Sequence, residues 1–214
     1  MNRILIVIAA IFLMQSQALA QTEPLRKFEV AAEFTTLERE AFSQRRTEPG
    51  LGGRFTYNLN EVFSLEAAGY FFPKRCFQCR NAGRITEGFA GVKVGKRFEK
   101  WGLFAKARPG AISFSQGTFD IIPPPVGFPL IPVQFELKRL TTFAMDVGGV
   151  VEFYPSKRIV TRFDVGDTIM HFKRRTLDTV LFNGLTGTFT PATIPVPPRT
   201  SHNFQFVTGV GFRF

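Results

Sequence analysis

The chain has 214 residues, a formal net charge of +10 at pH 7, 26 phenylalanines and only two cysteines. One domain is expected at this length. No run of the mature chain approaches the roughly 20 apolar residues of a membrane-spanning helix, which argues against a helical membrane protein. A basic balance is compatible with nucleic acid, but a secreted chain rarely meets any. Phosphate-bearing lipids or plain solvation are therefore the expected explanation, and no nucleic-acid partner is predicted.

The first twenty residues have the pattern of a secretory signal peptide. Met1-Asn2-Arg3 supplies a short positive start, residues 4–14 an apolar core and Ala18-Leu19-Ala20 a small-residue cleavage site. The apolar core is too short to span a bilayer usefully, which argues against the alternative of a membrane anchor. We therefore expect a cleavable signal peptide at 1–20 and a mature domain at 21–214.

The mature chain predicts eight β-strands. Its segments alternate apolar and polar side chains with a period of two, are bounded by turn residues and show little helical periodicity. In chain order the predicted strands span residues 27–37, 50–58, 62–72, 85–98, 101 to about 108, 142–154, 158–168 and 203–214. Pro109-Gly110 is expected to kink the fifth strand or to mark a bulge, so the facing of later side chains is left open.

The predicted connections alternate in length. Tight turns lie at residues 58–61, 99–100 and 155–157, and longer connections lie at 38–49, 73–84, 115–138 and 170–200. Membrane barrels place short turns at one rim and longer loops at the other, and strands of about ten residues match a tilted crossing of the hydrocarbon. The pattern predicts an antiparallel up-and-down barrel with short periplasmic turns, long extracellular loops and both chain ends at the short-turn rim.

The last predicted strand carries the clearest alternation. One side holds Phe204, Phe206, Thr208, Val210, Phe212 and Phe214, and the other side holds Asn203, Gln205, Val207, Gly209, Gly211 and Arg213. An aromatic side that runs to the last residue needs an apolar medium to cover it. Lipid is the nearest candidate for that medium.

Charged residues on the opposite strand faces help to decide between lipid and water outside. Lysine or arginine facing lipid at mid-bilayer costs about 2–4 kcal/mol, so in a membrane barrel these side chains must point inward. The inward set then comprises the cations Arg54, Lys93, Arg97, Lys106, Arg108, Arg162 and Arg213 and the anions Glu29, Glu33, Glu66, Asp146, Glu152 and Asp164. Seven cations meet six anions, as a small closed lumen requires of buried charges. The alternative is a secreted sandwich or lipocalin-like barrel with its apolar face inward.

Four runs carry a family resemblance: residues 52–72, GGRFTYNLNEVFSLEAAGYFF; 91–98, GVKVGKRF; 102–110, GLFAKARPG; and 162–167, RFDVGD. They resemble the outer-membrane protein β-barrel domain, a family related to the transmembrane region of outer-membrane protein A. The resemblance implies an all-β, eight-stranded transmembrane barrel in a bacterial outer membrane. Phe214 resembles the terminal assembly signal of such barrels, which implies that the barrel-assembly machinery is a partner of the closing strand.

The interior of an eight-stranded barrel is just wide enough for side chains to fill it, so a large-solute porin is excluded. A structural salt-bridge network is expected there, with a narrow ion channel as the alternative. A lipid-modifying esterase or deacylase is a second alternative, prompted by Ser201-His202. Neighbours in a strand point to opposite faces, so this pair is not expected to meet. Besides His202, the chain has only His171, and we predict no enzyme, no cofactor and no metal.

The longer connections hold the remaining candidate sites. Cys76 and Cys79 have the C-x-x-C spacing, and a local disulfide is the simplest outcome in an oxidising compartment, with free thiols, redox or metal roles as alternatives. Basic side chains that are candidates for binding lipopolysaccharide phosphates are Lys74, Arg75, Arg80, Arg84, Lys173, Arg174, Arg175 and Arg199. The apolar stretch 121–132 is a candidate contact for a surface partner of unknown identity.

Overall fold

The structure, a computed structural model, describes residues 26–40, 45–74, 83–120 and 131–214. In these ranges the strands are β1 (Phe28–Glu40), β2 (Arg45–Asn58), β3 (Phe63–Phe72), β4 (Ile85–Arg97), β5 (Trp101–Phe114), β6 (Gly117–Asp120), β7 (Ile131–Leu137), β8 (Leu140–Phe153), β9 (Ile159–Phe172), β10 (Arg175–Asn183), β11 (Thr188–Val196) and β12 (Arg199–Arg213). None of the described segments is a helix long and apolar enough to cross a bilayer. The predictions for residues 1–20, Arg75, Cys76, Cys79, Arg80 and 121–130 concern residues outside these ranges.

Eight strands close into a barrel in the order β1-β12-β9-β8-β5-β4-β3-β2. Every neighbouring pair is antiparallel, and strands that follow each other along the wall also follow each other along the chain. β1 and β12 close the barrel, where Phe28 N donates to Phe214 O at 3.0 Å and Phe214 N donates to Phe28 O at 2.9 Å. The prediction of an eight-stranded antiparallel up-and-down barrel is confirmed.

The outer surface of the barrel is apolar because each strand keeps its period of two. β3 alternates exposed and buried residues without a break, and outward side chains such as Leu51 and Val210 are 67% and 57% exposed. The ten residue steps from Phe204 to Phe214, at about 3.4 Å each and a tilt of about 40°, cover about 26 Å, close to the apolar band of membrane barrels. An apolar exterior around a charged interior indicates that lipid surrounds the barrel. It excludes a secreted sandwich or lipocalin-like barrel, in which the apolar face points inward.

The predicted kink or bulge at Pro109-Gly110 is wrong. β5 continues to Phe114, and its pairing with β8 passes through Pro109↔Met145 without a shift. Proline lacks the N–H that a ladder needs, and the β4–β5 ladder omits two pairs, those of Pro109 and Arg108, so β8 holds the strand in register. Gly110 lets β4 approach closely, since a Cβ added there would lie 2.0 Å from the backbone oxygen of Gly88.

Two of the predicted long connections contain further strands. β6 and β7 lie in the connection after β5, and β10 and β11 lie in the connection after β9; together they form a second sheet in the order β11-β10-β7-β6. β10 pairs with both β11 and β7, with a register shift at Val180/Leu181. Pro191 and Pro195 lie on β11, an edge strand, where a missing N–H is tolerated. This sheet is an addition to the predicted architecture.

The barrel strands are also longer than predicted at the end that carries the long connections. β1 reaches residue 40, β2 begins at 45, β9 reaches 172 and β12 begins at 199. At the short-turn end the predicted and observed limits agree within one or two residues. The wall therefore extends beyond the apolar belt at one end, and inward positions there belong to the interior.

Candidate functional site: the charged interior

The structure turns all thirteen residues of the predicted charge network into the barrel. Twelve of them are buried, and the side chain of the thirteenth, Arg97, is 9% exposed. The inward positions follow directly from strand parity, since Glu29 and Glu33 on β1 face Arg54 on β2 through the interior. Burial of this many charges is tolerated only where each is paired, because an isolated ion costs several kcal/mol.

Glu66 on β3 is the acceptor that most of the cations share. Arg162 Nη2 donates to Glu66 Oε2 at 3.0 Å, and Arg162 Nη1 donates to Oε1. Arg108 Nη1 lies 3.4 Å from Oε2, while Lys93 Nζ and Arg54 Nη1 each lie 3.5 Å from Oε1. The four cations come from β9, β5, β4 and β2, so one carboxylate links five strands through the interior.

Asp146 on β8 and Asp164 on β9 form a second centre. Arg108 donates to Asp146 Oδ2 from Nε at 2.9 Å and from Nη2 at 2.5 Å. Lys106 Nζ lies between the two carboxylates, 3.0 Å from Asp146 Oδ2 and 3.1 Å from Asp164 Oδ2. Arg162 Nε donates to Asp164 Oδ1 at 2.7 Å. Since Arg108 and Arg162 also contact Glu66, the two centres form one network.

A third group of charges gathers around Arg54. Its Nε donates to Glu33 Oε1 at 2.8 Å, and its Nη1 lies 3.5 Å from Glu29 Oε2. Neutral donors complete the two carboxylates: Tyr70 Oη donates to Glu33 at 2.8 Å and Asn58 Nδ2 donates to Glu29 at 3.1 Å. These bonds add to the ion pairs of both acids, and Arg97 Nη2 also lies 3.6 Å from Glu29 Oε1.

The interior at the short-turn end is built around Tyr154. Its hydroxyl donates to Glu152 at 2.9 Å and accepts from Arg97 Nε at 3.0 Å. Lys93 Nζ donates to the other oxygen of Glu152. The Arg213 guanidinium lies 4.2 Å from the centre of the Tyr154 ring, a cation–π distance. All four of these charged side chains are members of the predicted network.

Three further buried charges were missed by the sequence prediction: Arg39, Glu48 and Glu87. With them, the described interior contains eight cations and eight carboxylates. Arg39 and Glu48 lie on parts of β1 and β2 beyond the predicted strand ends. Glu87 lies within a predicted strand and has the parity of Lys93, so counting every inward position of that strand would have found it.

Glu87 is held by an amide. Gln205 Nε2 donates to Glu87 Oε2 at 3.0 Å and to Thr35 Oγ1 at 3.1 Å, while Gln205 Oε1 accepts from Thr168 Oγ1 at 2.5 Å. Because β4 and β12 lie on opposite sides of the barrel, the Glu87–Gln205 bond crosses the interior. Among the described residues, Glu87 Oε1 has no hydrogen-bond partner.

Apolar side chains fill the interior on the side of the long connections. This cluster comprises Leu37, Ala68, Tyr70, Phe72, Ile85, Phe89, Ile112, Phe114, Ala144, Met170, Phe172 and Val207, with Leu140 packed against it. Five of its members, Leu37, Phe72, Ile85, Ile112 and Ala144, have no exposed surface. Apolar packing of this kind disfavours a continuous polar path for ions through that half.

Cations cover the aromatic end of this cluster. The rings of Phe114 and Phe172 lie 6.0 Å apart. Arg39 Cζ lies 5.5 Å from the Phe114 ring and Arg199 Cζ lies 5.0 Å from the Phe172 ring. Arg39 also forms a 2.9 Å ion pair with Glu48, with both side chains less than a tenth exposed.

Ser201 and His202 do not form a catalytic pair in the structure. Ser201 Oγ accepts from Asn203 Nδ2 at 3.0 Å on the inward side of β12. His202 is exposed on the outward side, with its Nδ1 2.6 Å from Asp167 Oδ2. The other histidine, His171, contacts Thr200 Oγ1 at 3.2 Å. The absence of enzymatic activity stays a prediction.

No protein-family model matches the chain, so the family resemblance described above stays a prediction. No curated protein matches its sequence.

Several solved membrane-protein structures are similar in fold. Neisserial surface protein A is 11% identical, with 87% of this chain and 97% of that chain covered and a TM-score of 0.49. The outer membrane protein OprG from Pseudomonas aeruginosa is 8% identical, with coverage of 88% and 95% and a TM-score of 0.47. Ail, the attachment invasion locus protein of Yersinia pestis, is 10% identical, with coverage of 89% and 100% and a TM-score of 0.45. Because all three scores lie below 0.5, the architecture rests on the strand pairing, and these likenesses carry no inference about activity.

Proposed function

We propose that this protein is a small, non-enzymatic barrel of a bacterial outer membrane that supports the envelope and presents its long connections for surface interaction. The observation that carries the proposal is the network around Glu66, which ties five strands of the wall through the interior. A barrel cross-linked by buried ion pairs is rigid and filled. Such a construction suits a structural element better than a conduit.

The interior also favours a closed barrel over the narrow channel. Conduction needs a continuous polar path, and the half nearer the long connections is packed with apolar side chains. Planar-bilayer recording of the refolded protein is expected to give no unitary conductance. Stable conductance steps from the wild type that disappear in a variant of an interior charge, such as Glu87→Gln, would replace the structural role by a channel.

The non-enzymatic part of the proposal has its own test. His202 has a carboxylate partner in Asp167 but no hydroxyl of Ser201 within reach. Wild type and His202→Ala are expected to release no fatty acid from outer-membrane lipids in an acyl-release assay. Release by the wild type that is lost in His202→Ala would show a lipid-modifying enzyme.

We further propose that the rim at the long connections binds the phosphates of lipopolysaccharide. Lys74, Arg84, Lys173 and Arg174 are exposed there, beyond the apolar belt. Each lysine or arginine near an anionic membrane surface contributes about 1 kcal/mol. Arginine in particular forms charge-assisted hydrogen bonds with phosphate.

A pair of double variants tests lipopolysaccharide binding. Lys173→Gln with Arg174→Gln is expected to weaken binding by about 30-fold, the effect of two surface charges. Lys157→Gln with Arg158→Gln removes the same charge from the short-turn rim and serves as the matched control. Equal affinities of the two double variants would overturn the proposed site.

The closing strand is the proposed contact for the barrel-assembly machinery. Phe214 pairs with Phe28 in the backbone, and their rings lie 5.8 Å apart, with Phe214 55% exposed on the outer face. Phe214→Ser is expected to lower assembly in cells while refolding into detergent micelles proceeds. Assembly in cells equal to that of wild type would remove the assembly machinery as a partner of this residue.

A further inference from the structure

The lipid-facing surface of the barrel carries few charges among its described positions. From the short-turn rim to the outermost aromatic side chains, the outward residues are apolar, glycine, proline or hydroxyl-bearing, except Lys96 near the short-turn rim and the Asp167–His202 pair at the other end of the belt. Lys96 is exposed on β4, between the outward residues Val94 and Phe98, and its cross-strand neighbour is Leu103. Two other cations of β4, Lys93 and Arg97, instead point into the interior.

The surroundings of Lys96 combine aromatic rings with a tight turn. Lys96 Nζ lies 5.4 Å from the centre of the Phe98 ring. Phe98 and Trp101 stack at 4.3 Å, and Phe98 N donates to Trp101 O at 2.7 Å across the β4–β5 turn. The Lys96 ammonium therefore lies beside the stacked rings of Phe98 and Trp101, close to the β4–β5 turn.

The depth of Lys96 limits what surrounds it. A lysine on the lipid face costs about 2–4 kcal/mol at the midplane but only about 0–1 near the interface, where its stem can lie along apolar surface and its ammonium can reach the headgroups. Lipid phosphates lie at that depth, and an ammonium with three donors can bind one of them in addition to its contacts within the protein. Further exposed cations of this rim are Lys27, Lys100, Lys157 and Arg158, and the exposed acids are Glu61 and Glu99.

We propose that Lys96, with the Phe98–Trp101 pair, is a binding site for the phosphate headgroup of an anionic glycerophospholipid at the short-turn rim. The ammonium binds the phosphate, and the stacked rings contact the glycerol and the upper acyl chain. This site is on the opposite rim from the proposed lipopolysaccharide contact and is independent of it. Its ligand is a lipid of the surrounding leaflet.

The sole tryptophan of the chain, Trp101, is a built-in reporter for this site. The protein is reconstituted in vesicles of phosphatidylcholine and phosphatidylglycerol, with bromine on the upper acyl chain of one lipid or the other at equal mole fraction. Brominated phosphatidylglycerol is expected to quench Trp101 as if enriched about fivefold, the preference that one lysine near the surface supplies. Brominated phosphatidylcholine is expected to quench as its bulk fraction predicts.

Variants separate Lys96 from the general charge of the barrel. Lys96→Gln is expected to abolish the excess quenching by the anionic lipid, while Lys74→Gln, at the opposite rim, keeps it. Gel mobility before and after boiling confirms that each variant is folded. Equal quenching by both lipids in the wild type, or an excess that survives in folded Lys96→Gln, would overturn the site.

Discussion

The two halves of the barrel interior have the same alternating wall but are filled by different chemistry. In the half toward the short turns, Glu66, Asp146 and Asp164 bind arginine and lysine side chains at 2.5–3.5 Å. In the half toward the long connections, side chains such as Leu37, Phe72 and Ile112 are fully buried against one another. A few polar side chains lie beside these apolar ones, since Gln205 forms hydrogen bonds with Thr35, Thr168 and Glu87.

The difference teaches what each filling contributes. Ion pairs are directional, and the pair formed by Glu66 and Arg162 joins residues 96 positions apart in the chain, so it selects one arrangement of the wall. Apolar packing is not directional, but it disfavours a continuous polar path through the barrel. Buried ion pairs contribute little net stability compared with apolar packing, yet breaking one is costly. The charged half is therefore expected to respond to loss of a single partner, and the apolar half to loss of volume.

The largest effect is expected at Glu66. Glu66→Gln keeps the side-chain shape but leaves Arg162, Arg108, Lys93 and Arg54 without their shared charge, at a cost of about 3–5 kcal/mol in the free energy of unfolding. Urea unfolding in lipid vesicles measures this cost.

The matched control for Glu66→Gln is Glu38→Gln. Glu38 pairs with Arg45 at 3.3 Å, and both side chains are substantially exposed, so its loss is expected to cost at most about 1 kcal/mol. If the two variants unfolded at the same urea concentration, the idea of a stabilising central acceptor would fail.

Ile112 tests the apolar half by volume. Ile112→Ala removes buried methyl and methylene groups that the interior cannot refill, with an expected cost of about 2–5 kcal/mol. The same urea series provides the measurement, and the cost is expected to be insensitive to salt. Ile159→Ala is the control, because Ile159 faces outward and lipid can fill the space it leaves. Equal effects at the two positions would mean that the apolar half is loosely packed.

Most of the barrel was predictable from the sequence because lipid makes the alternation unambiguous. A charge that faces the hydrocarbon at mid-bilayer is costly, so Lys93, Lys106 and Arg162 each favour one inward parity for their strand. The partners of these charges were not predictable, since they depend on how the strands stagger around the wall. Glu66 and Arg162 come together only after closure.

The second sheet was missed for a related reason. β7 and β10 pair across segments separated by the whole of β8 and β9, and their register shifts at Val180/Leu181. Local alternation gives no signal of such a distant pairing. Arg39 and Glu48 were missed because the predicted strands ended near the membrane boundary, whereas the wall continues beyond it.

The Arg39–Glu48 ion pair lies next to the apolar half of the interior. Apolar side chains like those of that half can therefore replace it. Glu48→Met alone leaves Arg39 buried without its counter-charge and is expected to destabilise the barrel. The free energy of unfolding of the double variant with Arg39→Met and Glu48→Met is expected to lie within about 1 kcal/mol of the wild-type value. The reason is that a buried ion pair and packed apolar residues often stabilise a fold equally. A double variant as unstable as the single one would indicate that the ion pair itself is required.

The smallest effect is expected outside the membrane, at the exposed pair of Lys138 and Asp178. The hydrogen bond and charge of Lys138, 2.8 Å away, lower the pKa of Asp178 from its ordinary value of 3.8. Because the folded pKa is depressed, the contribution of this pair is present above the unfolded pKa and is lost as the pH falls through the folded value. Amide hydrogen exchange in β10, corrected for the intrinsic effect of pH, is therefore expected to speed up slightly below about pH 4.

Asp178→Asn is expected to abolish that acid response in β10 and to leave the exchange of barrel amides unchanged. Water screens this pair on both sides, whereas the partners of Glu66 are enclosed by the wall. Slowed or unchanged exchange in wild-type β10 on acidification would contradict the depressed pKa. A barrel that loosened in Asp178→Asn would show that the second sheet and the barrel unfold as one unit, and the contrast between enclosed and solvated ion pairs would then no longer hold.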